Sequence, residues 1–501
     1  MKKIFIKDKK YTIEEVFEAI SKKPIIQLDE KVKNIILESN KVVNSILDSS
    51  EVVYGINTGF GKLSQVKIPK DKLIELQENL ILSHSVGLGD PVDDEIVWTM
   101  LFIKIISLSK GYSGVSIKLM EKMIELLNSG FLPIIPSQGS VGASGDLAPL
   151  AHMALPLIGQ GKVRKCNEVF LSEKIFKKHY QLKAKEGLAI INGTQFSTAL
   201  AIVGLAKIDR LIKIADIVSA LSLEGMMGTD TAFRKDVQSV KIHKGQYNVA
   251  ENLRFLLKNS EIHDSHKGCD RVQDMYSLRC IPQVHGASRE MLVKVFQIIE
   301  NELNSVSDNP IVLPDKNEII SAGHFHAEIV AQALDTAAIA VSSFATISER
   351  RIYSLIDGKF GLPPFLTDNP GINSGYMMLQ VTAASIVSEN KTLCHPASVD
   401  SIPTGAGQED HVSMAPWSGR KLLEVIKNTE KVLAIELLMA IQSLYFRKGL
   451  NPGKELMNLF KYIKKHLKHN NKDKLFDSEL RFSIDLIESG KILNYISNKI
   501  K

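Results

Sequence analysis

A glycine-rich segment, Gly139–Asp146, carries the residues with the clearest chemical potential and reads GSVGASGD. A phosphate-binding loop would need a second glycine, then Lys and then Ser or Thr, where this chain has Ser144, Gly145 and Asp146. The spacing also departs from the dinucleotide-binding pattern G-x-G-x-x-G and from the nucleophile elbow G-x-S-x-G. Two interpretations remain, an ordinary flexible turn and a reaction of the peptide with itself.

The second interpretation follows from peptide chemistry at Ala143, Ser144 and Gly145. If a tight turn presses the Gly145 nitrogen onto the Ala143 carbonyl carbon, ring closure with loss of water gives a five-membered imidazolone. Loss of the Ser144 hydroxyl as a second water then leaves an exocyclic methylidene, which is a strong electrophile. Glycine suits the attacking position because it has no side chain to hinder the approach. The segment therefore fits a chain that builds its own electrophile.

Three further segments carry side chains suited to acid–base chemistry or to substrate binding. Tyr54 begins YGINTGFG, and a tyrosinate can act as a base only if nearby positive charge or donors lower its pKa from about 10. Asn192 lies in EGLAIINGTQ, where a simple Asn-Gly turn is the alternative. In RVQDMYSLRCIPQVHG, Gln273, Tyr276 and Arg279 are spaced three apart, so a helical segment would present them on one arc. An Arg can hold a carboxylate with two parallel hydrogen bonds, whereas a solvated amphipathic face is the alternative for this stretch.

Helical periodicity dominates the elements that must position these residues. The apolar spacing predicts the following helices: Asp71–Ser83 with Asp71 as its cap, Phe196–Ala220, Arg289–Asn301, Ala327–Ser348 and Arg420–Phe446. Short strands are predicted at Lys3–Ile6, Gln65–Ile68 and Gly161–Phe170. The chain is therefore expected to be mainly α, with one boundary near residue 195 that separates residues 1–195 from residues 196–501.

Composition excludes several classes of protein. The chain has 501 residues, 44% hydrophobic and 24% charged, which is typical of a globular protein rather than a disordered one. A net charge of +6 over this length and an aromatic content of 6% do not favour nucleic-acid binding. The four cysteines lie far apart without a CxxC motif, and no apolar run reaches the 18 residues of a membrane span. Because the N-terminus is charged and lacks the apolar region of a signal peptide, we expect a cytoplasmic protein.

The longer string GSVGASGDLAPLAH resembles the self-cyclising motif of the histidine and aromatic amino-acid ammonia-lyases, whose electrophile is 4-methylideneimidazole-5-one (MIO). The resemblance extends over motifs from Tyr54 to Met414. It implies that MIO forms from Ala143, Ser144 and Gly145 with no external cofactor and no metal. It also implies a long-helix bundle of the ammonia-lyase/aspartase-like type, with a small MIO-bearing α region and minor β structure in residues 1–195. The family assembles as homotetramers whose sites combine residues of more than one subunit.

The same resemblance implies roles for individual residues. Tyr54 corresponds to the catalytic base, Asn192 to an amide near the ring oxygen or the substrate, and Arg279 to the group that binds the substrate carboxylate. Gln273 and Tyr276 belong to the same substrate-binding segment. Phe325 in SAGHFHAE matches an aromatic pocket residue, and Glu409 in QEDHVSM matches a carboxylate beside the substrate ring. Two positions depart from the family pattern: His324 stands where Asn is usual, and Gly405-Ala406-Gly407 stands where Ser-Ala-Asn is usual.

His84 and Glu409 indicate the substrate. Ser83-His84 is typical of the histidine enzymes, and an imidazole ring needs hydrogen-bond partners that His84 and Glu409 can supply. A benzene ring would leave both groups buried and unpaired, at a cost of about 1–3 kcal/mol each. We therefore expect L-histidine to be converted into trans-urocanate and ammonia.

Four alternatives remain. Within the family these are an aromatic amino-acid ammonia-lyase and an aminomutase that returns ammonia to the β-carbon. A catalytically silent scaffold would keep the fold alone. A metallohydrolase would use the possible metal ligands of His263-x-x-His266-x-x-Cys269 or His324-x-His326-x-Glu328, although neither matches H-E-x-x-H.

Overall fold

A computed structural model describes residues 3–49, 51–497 and 499–501. Residue contacts group the chain into two compact units, each made of three stretches. The first unit comprises residues 1–203, 296–335 and 396–420, and the second comprises 204–295, 336–395 and 421–501. The division at residue 195 stays a prediction about separate domains, which contacts alone do not test.

The helices of the first unit are mostly of ordinary length and alternate with loops. Those that lie wholly within it are Ile13–Lys22, Glu30–Asp48, Leu73–His84, Asp94–Leu108, Ile117–Ser129, Leu147–Ala154, Ser172–Ile175 and Glu186–Ile191. Local signals explain several ends. Thr12 and Glu15 form a capping box at the first helix, and Ser116 caps Ile117–Ser129, which ends at Gly130 with φ 71°.

The long helices confirm the predicted α class. The chain passes between the units within four of them, Gln195–Gly225, Ile281–Leu303, Glu328–Ile356 and Ala415–Tyr445. The helices wholly within the second unit are Lys235–Ser239, Lys244–Leu256, Glu261–Ser265, Tyr276–Arg279, Met377–Leu393, Lys454–Ile463 and Asp477–Glu488. All five predicted helices exist, and most extend beyond their predicted bounds. The predicted cap Asp71 is wrong, because it lies inside a short 3₁₀ turn, Lys70–Lys72, that precedes the helix.

Within the described residues, every strand lies in a small sheet of the first unit. Its strands are Lys3–Ile6, Ile25–Leu28, Leu88–Pro91, Leu132–Pro133, Pro136–Gln138, Lys162–Lys165, Glu168–Leu171, Ile311–Leu313 and Glu318–Ile320. The first two pair in parallel, and the other pairs are antiparallel. The predicted strand Lys3–Ile6 is confirmed, and Gly161–Phe170 is a hairpin. Gln65–Ile68 is not a strand, since it contributes only an isolated bridge between Lys67 and Thr58.

Two helices are apolar along most of their length, as a membrane-spanning helix is. Within the described residues, Glu328–Ile356 is the one helix long and apolar enough to cross a bilayer, yet 61% of its apolar window is buried inside the protein. In Asp94–Leu108, every residue from Ile96 to Leu108 is buried, including Lys104. Burial on all sides is how the core helix of a globular protein is built.

Candidate active site

A cleft of about 1320 Å³ opens within the first unit, and loops at the ends of helices form its walls. Seven of the predicted site residues line it: Tyr54, His84, Ala143, Ser144, Asn192, Phe325 and Glu409. His84 ends one helix, Asn192 follows another, and the remaining residues lie in loops between elements. Such loops on a helical scaffold are a common location for catalytic groups.

The backbone of the segment Ala143–Gly145 is tightly confined. Gly145 has φ 79° and pairs with Gly193 in an isolated parallel bridge. A Cβ on Gly145 would lie 2.4 Å from both the nitrogen and the oxygen of Gly193, so only glycine fits here. On the other side, Ser413 donates a hydrogen bond to the Gly142 carbonyl at 2.8 Å. The segment is thus held between the Asn192-Gly193 turn and the segment that contains Ser413.

Asn192 touches the atom that ring formation would turn into the ring carbonyl. Its Nδ2 donates to the main-chain oxygen of Ser144 at 2.6 Å. Its Oδ1 has no hydrogen-bond partner among the described residues, and the residue is only 4% exposed. An orphaned acceptor of this kind beside a reactive segment is typical of a functional site.

Glu409 lies against the Ser144 side chain. The Ser144 hydroxyl donates to Glu409 Oε1 at 2.5 Å, and the Thr404 hydroxyl donates to Glu409 Oε2 at 2.5 Å. Thr404 and Glu409 also exchange main-chain hydrogen bonds across the turn that contains Gly405-Ala406-Gly407. The glycines that depart from the family pattern therefore lie in the turn that positions this carboxylate, and a Cβ on Gly405 would lie 3.3 Å from its Cδ and Oε2.

The hydrogen bonds of His84 determine which of its ring nitrogens carries the proton. Nδ1 lies 2.8 Å from the main-chain oxygen of Leu80, which can only accept, so Nδ1 is the protonated nitrogen. Burial lowers the pKa of His84, against the opposing effects of the Leu80 hydrogen bond and the Glu409 charge. A neutral imidazole with a free lone pair at Nε2 results, which is suited to accept a hydrogen bond.

Tyr54 is half-buried in a loop that Asn57 organises. Asn57 accepts from the Val53 nitrogen at 2.8 Å and donates to the Glu51 oxygen at 2.7 Å. Burial raises the pKa of Tyr54; a main-chain hydrogen bond with Gly61 opposes this rise, and the Glu409 charge adds to it. The described residues of a single chain therefore do not provide the lowered pKa that a tyrosinate base requires.

Four predicted residues do not line this cleft: Gly145, which follows Ser144 in the reactive segment, and three residues of the second unit. Gln273, Tyr276 and Arg279 belong to the second unit. Only Tyr276 and Arg279 lie on a helix, which spans Tyr276–Arg279, so the predicted arc shared with Gln273 is wrong. The Arg279 guanidinium lies 4.6 Å from the centre of the Tyr276 ring, and its Nε is buried without a partner.

The histidines that suggested a metal site have other contacts. His326 stacks on His411 at 5.7 Å between ring centres, and both line the cleft. His263 pairs with Asp230 at 3.1 Å. Among the residues that the structure describes, no group of three or more His, Cys, Asp or Glu side chains is arranged to hold a metal ion.

Sequence reasoning missed the buried polar layer behind the Ala143–Gly145 segment. Asp146 is fully buried, and its carboxylate accepts from the Ser197 nitrogen at 2.8 Å and the Ser197 hydroxyl at 2.9 Å. Burial raises the pKa of Asp146 to about 6. Lys104 is also fully buried and donates to the main-chain oxygen of Asn192 at 2.7 Å. The sequence signal for this polar layer was the single lysine within the apolar run of its helix, because a buried cation needs hydrogen-bond partners.

The residues present fit an MIO ring. Gly145 lies in a cradle that a Cβ would fill, so its nitrogen is free of side-chain hindrance. The future ring carbonyl, the Ser144 oxygen, already has a donor in Asn192. The hydroxyl that must leave faces the open cleft and contacts a carboxylate.

Comparison with known proteins agrees with this geometry. Residues 11–465 match the sequence profile of the family described as aromatic amino acid lyase. The chain is 45% identical over 497 residues to a histidine ammonia-lyase of Caldanaerobacter subterraneus, with 98% of each chain covered. Among solved structures, histidine ammonia-lyase from Trypanosoma cruzi is 36% identical with a TM-score of 0.90, covering 99% of this chain and 96% of that one. Phenylalanine aminomutase from Pantoea agglomerans is 32% identical with a TM-score of 0.92, covering 97% and 99%. This chain therefore belongs to the aromatic amino acid lyase family.

Proposed function

We propose that this protein is a histidine ammonia-lyase, which removes ammonia from L-histidine and releases trans-urocanate. It uses an MIO ring that residues 143–145 form without an external cofactor. The observation that carries the proposal is the 2.6 Å hydrogen bond from Asn192 to the Ser144 oxygen, in a cleft that also contains His84 and Glu409. The ring supplies an electrophilic methylidene that makes the substrate's amino group a far better leaving group.

The side chains of the cleft divide the remaining tasks. Asn192 holds the Ser144 carbonyl oxygen through its Nδ2. His84 presents a lone pair at Nε2 because Nδ1 donates to Leu80, so it accepts a hydrogen bond from a ring N–H of the substrate. Glu409 provides a second acceptor, fixed by Thr404. Both acceptors can receive a hydrogen bond from a ring N–H, which an imidazole has and a benzene ring lacks, so they favour the imidazole.

Tyr54 takes the β-proton at its hydroxyl oxygen. Since burial raises its pKa within one chain, this role requires positive charge from outside the cleft residues described above. A second copy of the chain is the source we infer, with Arg279 binding the substrate carboxylate and Gln273 and Tyr276 beside it.

A homotetramer that works in the cytoplasm is part of this proposal. Tyr276, one of the three residues proposed to come from a second copy, and Val272, the neighbour of Gln273, are 71% and 99% exposed in the single chain, as expected of residues that another copy covers. Light scattering should give the mass of four chains, and cell fractionation should recover the activity with the soluble cytoplasmic proteins.

Co-expressing Tyr54→Phe chains with Arg279→Met chains should restore part of the activity that each lacks alone, because some mixed sites contain both wild-type residues. No recovery in verified mixed oligomers would contradict sharing of the site.

The reaction is tested by incubating purified protein with L-histidine, L-phenylalanine and L-tyrosine and following the absorbance of the conjugated product. We expect product from L-histidine alone, no activity in Ser144→Ala, and wild-type activity in Ser137→Ala, a serine of the preceding strand Pro136–Gln138. Equal rates with and without Ser144 would end the elimination hypothesis.

An aminomutase is the second candidate, favoured by the likeness to the Pantoea phenylalanine aminomutase. It would return ammonia to the β-carbon and yield β-histidine, which lacks the conjugated chromophore of urocanate. Chromatography of the products of L-histidine separates the two activities, and β-histidine as the main product would favour the aminomutase.

A further inference from the structure

Behind the cleft, a fully buried lysine contacts the turn that holds the reactive segment. Lys104 lies in the helix Asp94–Leu108, whose residues 96–108 are all buried. Its Nζ donates to the main-chain oxygen of Asn192 at 2.7 Å and to Gln195 Oε1 at 3.2 Å. Both acceptors belong to residues 192–195, which join the helix Glu186–Ile191 to the helix Gln195–Gly225.

We propose that Lys104 is a positioning residue, which fixes the Asn192–Gln195 turn against residues 143–145 and thereby controls both ring formation and turnover. This inference rests on the proposed function. The turn makes two hydrogen bonds with residues 143–146. Asn192 Nδ2 donates to the Ser144 oxygen at 2.6 Å, and the Gly193 oxygen accepts from the Asp146 nitrogen at 2.7 Å as part of the bridge that pairs Gly193 with Gly145. Displacement of the turn would disturb both at once.

Other side chains support the turn less directly. Gln195 Nε2 donates to the Ser307 hydroxyl at 2.9 Å, and the Thr194 hydroxyl donates to Glu302 at 2.5 Å. Neither of these contacts involves Asn192 itself. Lys104 is the side chain that binds the main-chain carbonyl of the same residue whose amide holds the Ser144 oxygen.

The charged surroundings of Lys104 are unusual for a buried cation. Its two acceptors are neutral, and burial lowers its pKa to about 7, with Asp308 and Asp146 opposing the fall and Lys185 adding to it. A neutral amine can still donate to both acceptors, so the contacts do not depend on the charge. Because both hydrogen bonds can form whether or not Lys104 is charged, this side chain is better suited to positioning the turn than to forming an ion pair.

Lys185 provides a matched control. It is also fully buried in the first unit, but its Nζ donates to Asp308 Oδ2 at 2.9 Å, where Asp308 Oδ1 also accepts from Ser113. Lys185→Met therefore removes a buried cation of the same size without removing a hydrogen bond to the Asn192–Gln195 turn. We expect it to lower the melting temperature while the fraction of cyclised chains and kcat stay within about twofold of wild type.

The experiment compares wild type, Lys104→Met and Lys185→Met. Peptide mass spectrometry measures the fraction of folded chains in which the 139–146 segment has lost two waters, and kinetics give kcat and KM per cyclised chain. For Lys104→Met we expect a lower cyclised fraction than in Lys185→Met, and kcat about 100-fold lower than wild type with little change in KM. Equal cyclised fractions and equal kcat values in the two variants would overturn the proposal and leave Lys104 a purely structural residue.

Two further outcomes are that Lys104→Met does not fold and that the wild-type chain does not cyclise. If Lys104→Met does not fold, Gln195→Leu removes one of the two acceptors instead, and a wild-type cyclised fraction and kcat in that variant would overturn the proposal. If the folded wild-type chain shows no loss of water, the proposed function itself fails and this inference fails with it. If the wild-type chain is cyclised and the variants keep its cyclised fraction and kcat, the inference about Lys104 is overturned and the proposed function is not.

Discussion

Two fully buried cations, Arg351 in the second unit and Lys104 near the cleft of the first, have different kinds of partner. In the second unit, Arg351 and Glu436 are both fully buried and form two hydrogen bonds, at 2.5 and 2.8 Å. Near the cleft of the first unit, Lys104 is equally buried but binds only a main-chain carbonyl and a side-chain amide. In the second unit, each charge of the pair is balanced by the opposite charge. The lysine beside the cleft instead donates its hydrogen bonds to residues of the Asn192–Gln195 turn.

Two buried aspartates repeat this contrast. Asp216 in the second unit is bound by Arg289 and His285, both at 2.7 Å. Burial favours its neutral form, but the Arg289 charge and the hydrogen bond with His285 more than offset that effect and the pKa of Asp216 is lowered. Asp146 in the first unit has only hydroxyl and main-chain donors among its hydrogen bonds, and burial raises its pKa to about 6. The charged forms of Lys104 and Asp146 near the cleft are therefore less stabilised by opposite charges than those of Arg351 and Asp216, as is common at functional sites.

The largest effect is expected from breaking the paired charges of the second unit. Arg351→Met leaves Glu436 buried without its cation and should lower the free energy of unfolding by about 3–5 kcal/mol, measured by urea denaturation. The double variant Arg351→Met/Glu436→Leu removes both charges and should recover much of the loss. A cost below about 1 kcal/mol for the single variant would show that the pair contributes little and would remove one side of the comparison.

Removing the Asn192 amide should affect turnover rather than stability. Asn192→Ala deletes the donor to the Ser144 oxygen, and kcat should fall about 10²–10³-fold, as when one donor to a developing negative charge is lost. Asn128→Ala is the control, because Asn128 bonds the main chain of Ile26 away from the cleft and should affect only stability. Unchanged kcat in Asn192→Ala would remove the assigned role.

The two aspartates should give pH dependences of opposite sign. Because the pKa of Asp146 is raised from 3.8 to about 6, the folded protein retains a proton that the unfolded chain releases, so stability falls as pH rises from about 4 to about 6. Its contribution to this fall is about 3 kcal/mol. Asp146→Asn should remove that slope. The lowered pKa of Asp216 instead gives stability that is present above pH about 4 and is lost in more acidic solution.

Urea denaturation at several pH values between about 2 and about 7 measures both slopes. Asp216→Asn should reduce the loss of stability on acidification, whereas Asp146→Asn should flatten the decline on the way to pH about 6. If both variants changed the pH dependence in the same direction, the proposed contrast between the two carboxyl environments would be wrong.

The smallest effect is expected at the edge of the cleft. Thr404→Val removes the hydroxyl that donates to Glu409 and keeps the shape of the side chain. A hydrogen bond to a carboxylate of this kind contributes about 1.5 kcal/mol, so kcat/KM for L-histidine should fall about tenfold. Thr99→Val, which removes a hydroxyl bonded to the Glu95 carbonyl within a helix, should leave kcat/KM unchanged. A similar fall in both variants would indicate a general packing effect.

Motifs and periodicity predicted much of this protein. The mainly α class and the five long apolar helices followed from spacing, since a helix that buries one face must repeat its apolar residues every three or four positions. Seven predicted residues line one cleft. Peptide chemistry pointed to Ala143 and Ser144, and the resemblance of short motifs to those of the family pointed to the other five. The errors were local too: Asp71 is not a cap, residues 65–68 form no strand, and Gln273 precedes the helix of Tyr276.

The sequence by itself determined the reactive peptide, because ring formation needs three adjacent residues, of which the third has no side chain. Only the tertiary structure decided what surrounds that peptide. The donor to the Ser144 oxygen comes from 48 residues away, and the carboxylate beside its hydroxyl from 265 residues away. In the sequence, Lys104 is a single lysine that interrupts an apolar helix. In the folded chain, it donates a hydrogen bond to the carbonyl of Asn192, 88 residues further along. Burial makes an unpaired polar group costly, so folding selects such partners, and no local pattern records which distant residue they are.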